Sequence, residues 1–326
     1  MRRKKIQNIL FQILKFSFAA GIFVWLAAAG KIDFLKIREA LFHSPWILFS
    51  IAMGFGTLFM SAWRWWLLIR SQGIRFSFAK VFRLVLIGQF FNIIIPGTIS
   101  GDIVKAYYIT RNEEKKMLAG FSVLMDRLIG LFVLIGMTSA VVLVNASSLT
   151  TPELKTLGIG IVVLSMVSFL GILFFFLKSD FRLPSLVPSF FHRIAEVIWA
   201  YRRRRRILLK AAILTVFNYF FNVLLFYGVA QSLGENFLTF PQYLFLIPVG
   251  LFVMAIPIAP AGLGVGQGVF LKLFEWAYGR PVTIGADMVT LGQIVIAVWA
   301  MIGGILYLFH KQKKFVPMPE AGVMAS

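Results

Sequence analysis

Two apolar segments, one in each half of the chain, are broken at corresponding places by proline and glycine. The first reads Phe91-Asn92-Ile93-Ile94-Ile95-Pro96-Gly97-Thr98-Ile99-Ser100-Gly101-Asp102. The second reads Ile256-Pro257-Ile258-Ala259-Pro260-Ala261-Gly262-Leu263-Gly264-Val265-Gly266-Gln267-Gly268. The apolar stretches beside each break run to roughly 15 residues, too short to cross a ~30 Å hydrocarbon core comfortably at ~1.5 Å per residue. Irregular backbone at membrane depth has to be buried in protein or line a wet cavity. Broken segments at matching places in two halves therefore point to a transporter-type binding site.

Composition says why membrane depth is the right frame. The 326 residues are 59% hydrophobic and 14% charged, against about 45–50% and about 25% in soluble globular chains. The expected fold is all-α, a polytopic membrane helical bundle. A net charge of +20 would suit nucleic acid, but the basic residues stand in short blocks between apolar segments, which is topology information. No nucleic-acid partner is expected. The chain has no cysteine, which removes disulfides, thiolate nucleophiles and cysteine metal sites.

Six long apolar runs read as spanning helices, at about 10–29, 46–69, 118–144, 156–177, 207–230 and 284–309. The broken segments, about 81–112 and 242–278, remain. Taken as re-entrant hairpins, with the N-terminus cytoplasmic, they leave 24 of the 33 basic residues on the cytoplasmic side and six outside. Single crossings would instead put the Arg202–Arg206 block outside, against the positive-inside rule. Both termini are then cytoplasmic, in a multi-pass protein of the cell membrane.

That topology makes one transmembrane domain of residues 1–317 with a short tail at 318–326. Its halves, about 9–145 and 154–310, form an inverted repeat, the arrangement alternating-access carriers use to expose one midplane site to either side. Arg2–Lys5 before an apolar stretch resembles a signal peptide. The stretch runs about 20 residues, contains Lys15 and leads straight into further spans, so an uncleaved first helix is expected. Between 182 and 206, apolar residues at three- and four-residue steps precede five arginines. This reads as an in-plane helix on the anionic leaflet or as a plain anchoring block.

Three motifs resemble a known family: Asn92-x3-Pro96-Gly97-x3-Gly101-Asp102, Asp126-Arg127-Leu128-x-Gly130, and Pro260-x-Gly262-x-Gly264-x-x-Gln267-Gly268. Together they resemble the lysylphosphatidylglycerol synthase transmembrane region, a group of flippase-like integral membrane proteins. The resemblance covers about residues 10–310. It implies a lipid-translocating membrane domain, best known fused to a soluble aminoacyl transferase domain. Such a domain is not expected here, so lysyl transfer is not implied. Gln267 departs from the family pattern, which favours an acidic residue, so no charge-linked role carries over to it.

The candidate substrate-binding residues are Asn92, Pro96, Gly97, Gly101, Asp102, Lys105, Asp126, Arg127, Pro260, Gly262, Gly264 and Gln267. Asp102 opens a helical stretch at 103–112, either as its N-cap or facing a cavity where a head group pauses. Lys105, one turn on, either pairs with Asp102 or holds a lipid phosphate. Asp126 and Arg127 lie roughly 12–14 Å into their helix, a depth at which ionisable groups are costly and default to functional hypotheses. Arg127 has the planar fork that grips a phosphate; the competing reading is a structural bridge to Asp102. Arg64, within Trp63-Arg64-Trp65-Trp66, is expected to snorkel to the interface. Asn218 and Asn222 are expected to join helices. The glycines from Gly262 to Gly268 allow close backbone approach and leave N–H groups at a half-helix start, where an anion is favoured.

His43, His192 and His310 are scattered, so no metal or histidine base is expected, and no cofactor. The function expected is translocation of a phospholipid or glycolipid between leaflets, facilitated or ion-coupled, by a protein that is not an enzyme. Its partners are then membrane lipids, an anionic phospholipid or a lipid-linked substrate. A homo-oligomer is left open. The alternatives are a lipid-linked glycosyl- or other transferase, with Asp33 and Glu39 in a loop of about 15 residues, and an accessory subunit of a lipid-modifying complex.

Overall fold

A computed structural model describes residue 17 and residues 21–94, 100–110, 116–146, 149–177, 201, 204–255 and 263–309. Every long element among them is an α-helix: α1 (21–28), α2 (Phe34–His43), α3 (Trp46–Ser71), α4 (Phe78–Ile94), α5 (Ser100–Thr110), α6 (Lys116–Val144), α7 (Pro152–Leu177), α8 (Arg205–Ser232), α9 (Phe240–Ala255), α10 (Val265–Tyr278) and α11 (Ile284–Leu308). Five are long and apolar enough to cross a membrane: α3, α6, α7, α8 and α11. They match the expected spans at 46–69, 118–144, 156–177, 207–230 and 284–309 to within four residues at each end. Half of the expected span at 10–29 lies outside the described residues, as do most of 182–206 and the breaks at 95–99 and 256–262. α7 exposes Ile159, Val163, Val167 and Phe169 on several faces. A helix apolar all round belongs in lipid rather than at a water-washed surface.

At the centre α3 and α8 run antiparallel, joined by three polar rungs at seven-residue steps along α3. The Ser50 hydroxyl donates to the Leu225 carbonyl at 3.1 Å. The Asn218 amide donates to the Thr57 carbonyl at 2.6 Å. Arg64 Nη1 donates to Thr215 Oγ1 at 3.1 Å. Hydrogen bonds of this kind join helices where no hydrophobic drive separates protein from lipid. Asn222 differs from expectation, since its amide turns back to the Asn218 carbonyl of its own helix at 3.0 Å.

Around this pair, α4 and α5 fold back on each other, and so do α9 and α10. Small residues permit both turns: a Cβ on Gly101 would overlap the Gly88 carbonyl, and one on Gly250 would overlap the Phe270 ring. Spans lie against the opposite half. α11 packs along α4, with Gly303 against the Leu86 carbonyl, while α9 packs on α6. Exchanging α3, α4, α5 and α6 for α8, α9, α10 and α11 reproduces the packing of all these helices. α11 bridges the two folded-back pairs, touching α4 of the first and α10 of the second.

Candidate functional site

The start of α5 is set by α4. Asn92 Oδ1 accepts the Gly101 N–H at 2.7 Å, and the Ser100 hydroxyl donates to the Phe91 carbonyl at 3.1 Å. A helix start leaves N–H groups unpaired, and Asn92 supplies one of the missing acceptors. Asp102 therefore is not the N-cap. It lies in the first turn of a helix that begins at Ser100, and its carboxylate is buried. Lys105 Nζ reaches Asp102 Oδ1 at 2.6 Å, and Arg127 Nε on α6 bonds the other oxygen. The structural bridge between Arg127 and Asp102 is thus present. It ties the short helix to its neighbouring span.

Arg64 corrects an expectation. It does not snorkel: only 7% of it is exposed. Its Nε and Nη2 donate to the two oxygens of Asp126 at 2.6 and 3.0 Å. The bundle holds it because bidentate pairing with a buried carboxylate compensates desolvation. Asp126, expected to bind substrate, has both oxygens engaged by this partner. Lys105 is steered from a second side, its ammonium lying 5.2 Å from the Trp65 ring centroid. The Trp65 indole N–H is in turn anchored on Ser122 Oγ at 3.0 Å.

Beside this network is a cavity of about 160 Å³, the size that admits a benzene-sized guest (~150 Å³). Its polar lining comes from Thr57 and Ser61 of α3, Gln89 and Asn92 of α4, Lys105 of α5 and Asn218 of α8. Thr57, Ser61 and Arg64 stand at four- and three-residue steps, so they share a face of α3. That spacing is a signal available in the sequence. Thr57, Ser61 and Gln89 lie outside the set expected from the sequence, and Arg64 was expected at the interface.

The second folded-back pair is built differently. Gly264, with φ of 73°, caps α10, a left-handed backbone that glycine adopts without a Cβ penalty. Its N–H is not left for an anion, because Gln267 Oε1 accepts it at 2.8 Å. Gln267 Nε2 donates to Gln293 Oε1 at 2.9 Å and Thr290 Oγ1 at 3.3 Å, both on α11. Gln267 is fully buried. Among the other expected residues, Pro96, Gly97, Pro260 and Gly262 lie outside the described residues.

Two further buried carboxylates escaped the sequence reading. Glu235, in the α8–α9 connection, accepts the N–H groups of Phe237 and Leu238 at 2.8 and 2.9 Å and the Tyr278 hydroxyl at 2.6 Å, with Tyr243 on its other oxygen. Asp287 of α11 accepts the Asp33 N–H at 2.7 Å and the Thr283 hydroxyl at 2.9 Å. Asp33, expected as a loop acid, caps α2 by accepting the Lys36 N–H at 3.0 Å.

The family described as "Lysylphosphatidylglycerol synthase TM region" matches residues 12–303. No curated protein matches the chain.

Proposed function

The chain belongs to the lysylphosphatidylglycerol synthase TM-region family, and from that premise we propose that it moves a phospholipid or glycolipid between the leaflets of the cell membrane. The observation that carries this reading is the polar cavity lined by Lys105, Asn92 and Asn218 within the helical bundle. Amides, hydroxyls and an ammonium at such a place are costly in lipid and suit a head group that must leave water.

In this reading the pairs α4/α5 and α9/α10 are re-entrant hairpins, and residues 9–145 and 154–310 are inverted half-repeats. The exchange-symmetric packing supports that view. Movement is facilitated or ion-coupled, since no nucleotide-binding motif is present in the sequence. Both termini and Arg204 face the cytoplasm. An Arg204→Cys variant is the only thiol in the chain, and its labelling by an impermeant reagent in intact cells would overturn the orientation.

Purified protein in liposomes carrying acyl-labelled lipids tests the function. A translocase brings labelled lipids of the inner leaflet within reach of an external quencher. A transferase forms a new product, and an accessory subunit does neither.

A further inference from the structure

α2 has three faces where a surface helix needs two. At about 100° per residue, its ten residues fall into three unbroken sectors. Ala40, Ile37 and Leu41 turn to the bundle, the first two of them buried. Lys36, Glu39 and His43 make a polar sector. Between these lie Phe34, Phe42 and Leu35, the last two 72% and 74% exposed, with the exposed Arg38 among them. A helix between core and water has one apolar stripe and one polar face. The second apolar sector needs a surrounding of its own.

The place of α2 supplies it. The Asp33 N–H, just ahead of α2, donates to Asp287 in the first turn of α11 at 2.7 Å. The other end of α2 passes through Ser44 and Pro45 straight into α3 at Trp46. Trp46 packs on Tyr227, near the far end of α8 from Arg204. α2 therefore runs across the starts of two spans, at the end of the bundle opposite Arg204. α3 has 26 residues, so it is ~39 Å long and exceeds the ~30 Å hydrocarbon core. Its first turn, and α2 beside it, then fall at the level of the lipid head groups. Trp25 and Trp46 flank α2 and are exposed, and indoles collect at that level.

We infer that α2 is an interfacial helix whose partner is the lipid surface of the leaflet opposite Arg204. Phe34, Leu35 and Phe42 enter the acyl boundary, and Glu39 and His43 face water. Arg38 buries its stem among the apolar side chains and raises its guanidinium to lipid phosphates, two oxygens at a time. The pins at Asp33, Ile37 and Ala40 fix which sector meets the lipid. This role is independent of what the bundle moves.

The chain has no cysteine, so single nitroxide labels can be read in the full protein. Leu35→Cys, Phe42→Cys and Glu39→Cys are each labelled in liposomes of phosphatidylcholine and phosphatidylglycerol. Collisions with oxygen, which concentrates in lipid, are compared with collisions with a water-soluble nickel chelate. Labels at 35 and 42 should favour oxygen, and the label at 39 should favour nickel. Nickel access at 35 and 42 equal to that at 39 would overturn the inference. So would low access to both reagents with spin–spin broadening that vanishes on dilution by unlabelled protein, because a second copy would then cover the sector. Arg38→Glu should raise nickel access at 35, by repulsion from phosphate, while Arg38→Lys should leave it low. An unmoved label in Arg38→Glu would overturn the phosphate contact.

Discussion

α5 and α10 begin alike and are finished differently. Each carries a glycine at its second position, Gly101 and Gly266, and a buried polar residue at its third, Asp102 and Gln267. Each third residue reaches the span that follows, α6 or α11. At α5 the connection is ionic, one carboxylate held by two cations, and it borders the cavity. At α10 it is a chain of neutral amides and a hydroxyl that closes on its own helix cap. The same backbone position thus serves as a charged junction in one half and a sealed brace in the other. Packing alone needs only the second arrangement, as α10 demonstrates. On the proposed function, the charge at α5 serves a lipid that approaches it.

The strongest way to break this contrast is to remove the shared carboxylate. Asp102→Ala leaves Lys105 and Arg127 without their common partner and should cost ~3–5 kcal/mol, as for a broken buried ion pair. Thermal unfolding of the detergent-solubilised protein would read this. The double swap Asp102→Arg with Arg127→Asp separates roles: recovery of stability without recovery of lipid movement shows that the junction also serves the site.

Next in size is Gln267→Ala, which strands the Gly264 N–H and removes the donor to Gln293 Oε1 and Thr290 Oγ1, at ~1–3 kcal/mol. Gln267→Glu sharpens the comparison. A protonated carboxyl both donates and accepts, as the amide does, so this variant should fold well at low pH. The unfolded chain ionises more readily than the buried site allows, so stability should fall as pH rises. A flat pH profile would mean the α10 network can take charge after all.

The smallest change in stability is expected for Lys105→Met, because Asp102 keeps Arg127 and its carboxylate stays compensated. Lipid movement, in contrast, should be lost. A large drop in thermal stability with transport intact would put Lys105 among the structural groups.

The architecture was legible because it depends on hydrophobic length, which is written locally. Residues 46–71, 116–144 and 284–308 announce themselves by composition, and the breaks at Pro96-Gly97 and Pro260 divide the shorter segments. The site was legible only in its members. Asp102, Lys105, Asp126 and Arg127 stand out as ionisable groups in apolar context, but pairing is a tertiary matter. Arg64 lies 62 residues from Asp126 in the chain, and its neighbouring tryptophans pointed to the interface. Asn92 was expected in the site, but its capping of α5, the role Asp102 was expected to fill, has no local signature. Glu235 and Asp287 belong to no motif that marks them. Their burial follows from tyrosine hydroxyls and backbone N–H groups that local patterning does not display.

The three rungs between α3 and α8 have a mechanical consequence. Ser50, Thr57 and Arg64 meet their partners at successive two-turn intervals, like pins through a hinge barrel. Sliding one helix past the other by a single turn, ~5.4 Å, would shear every pin at once. Tilting the flanking helices about the shared axis disturbs none of them. The α3/α8 pair is thus built as a fixed axis, along which sliding is the costly motion.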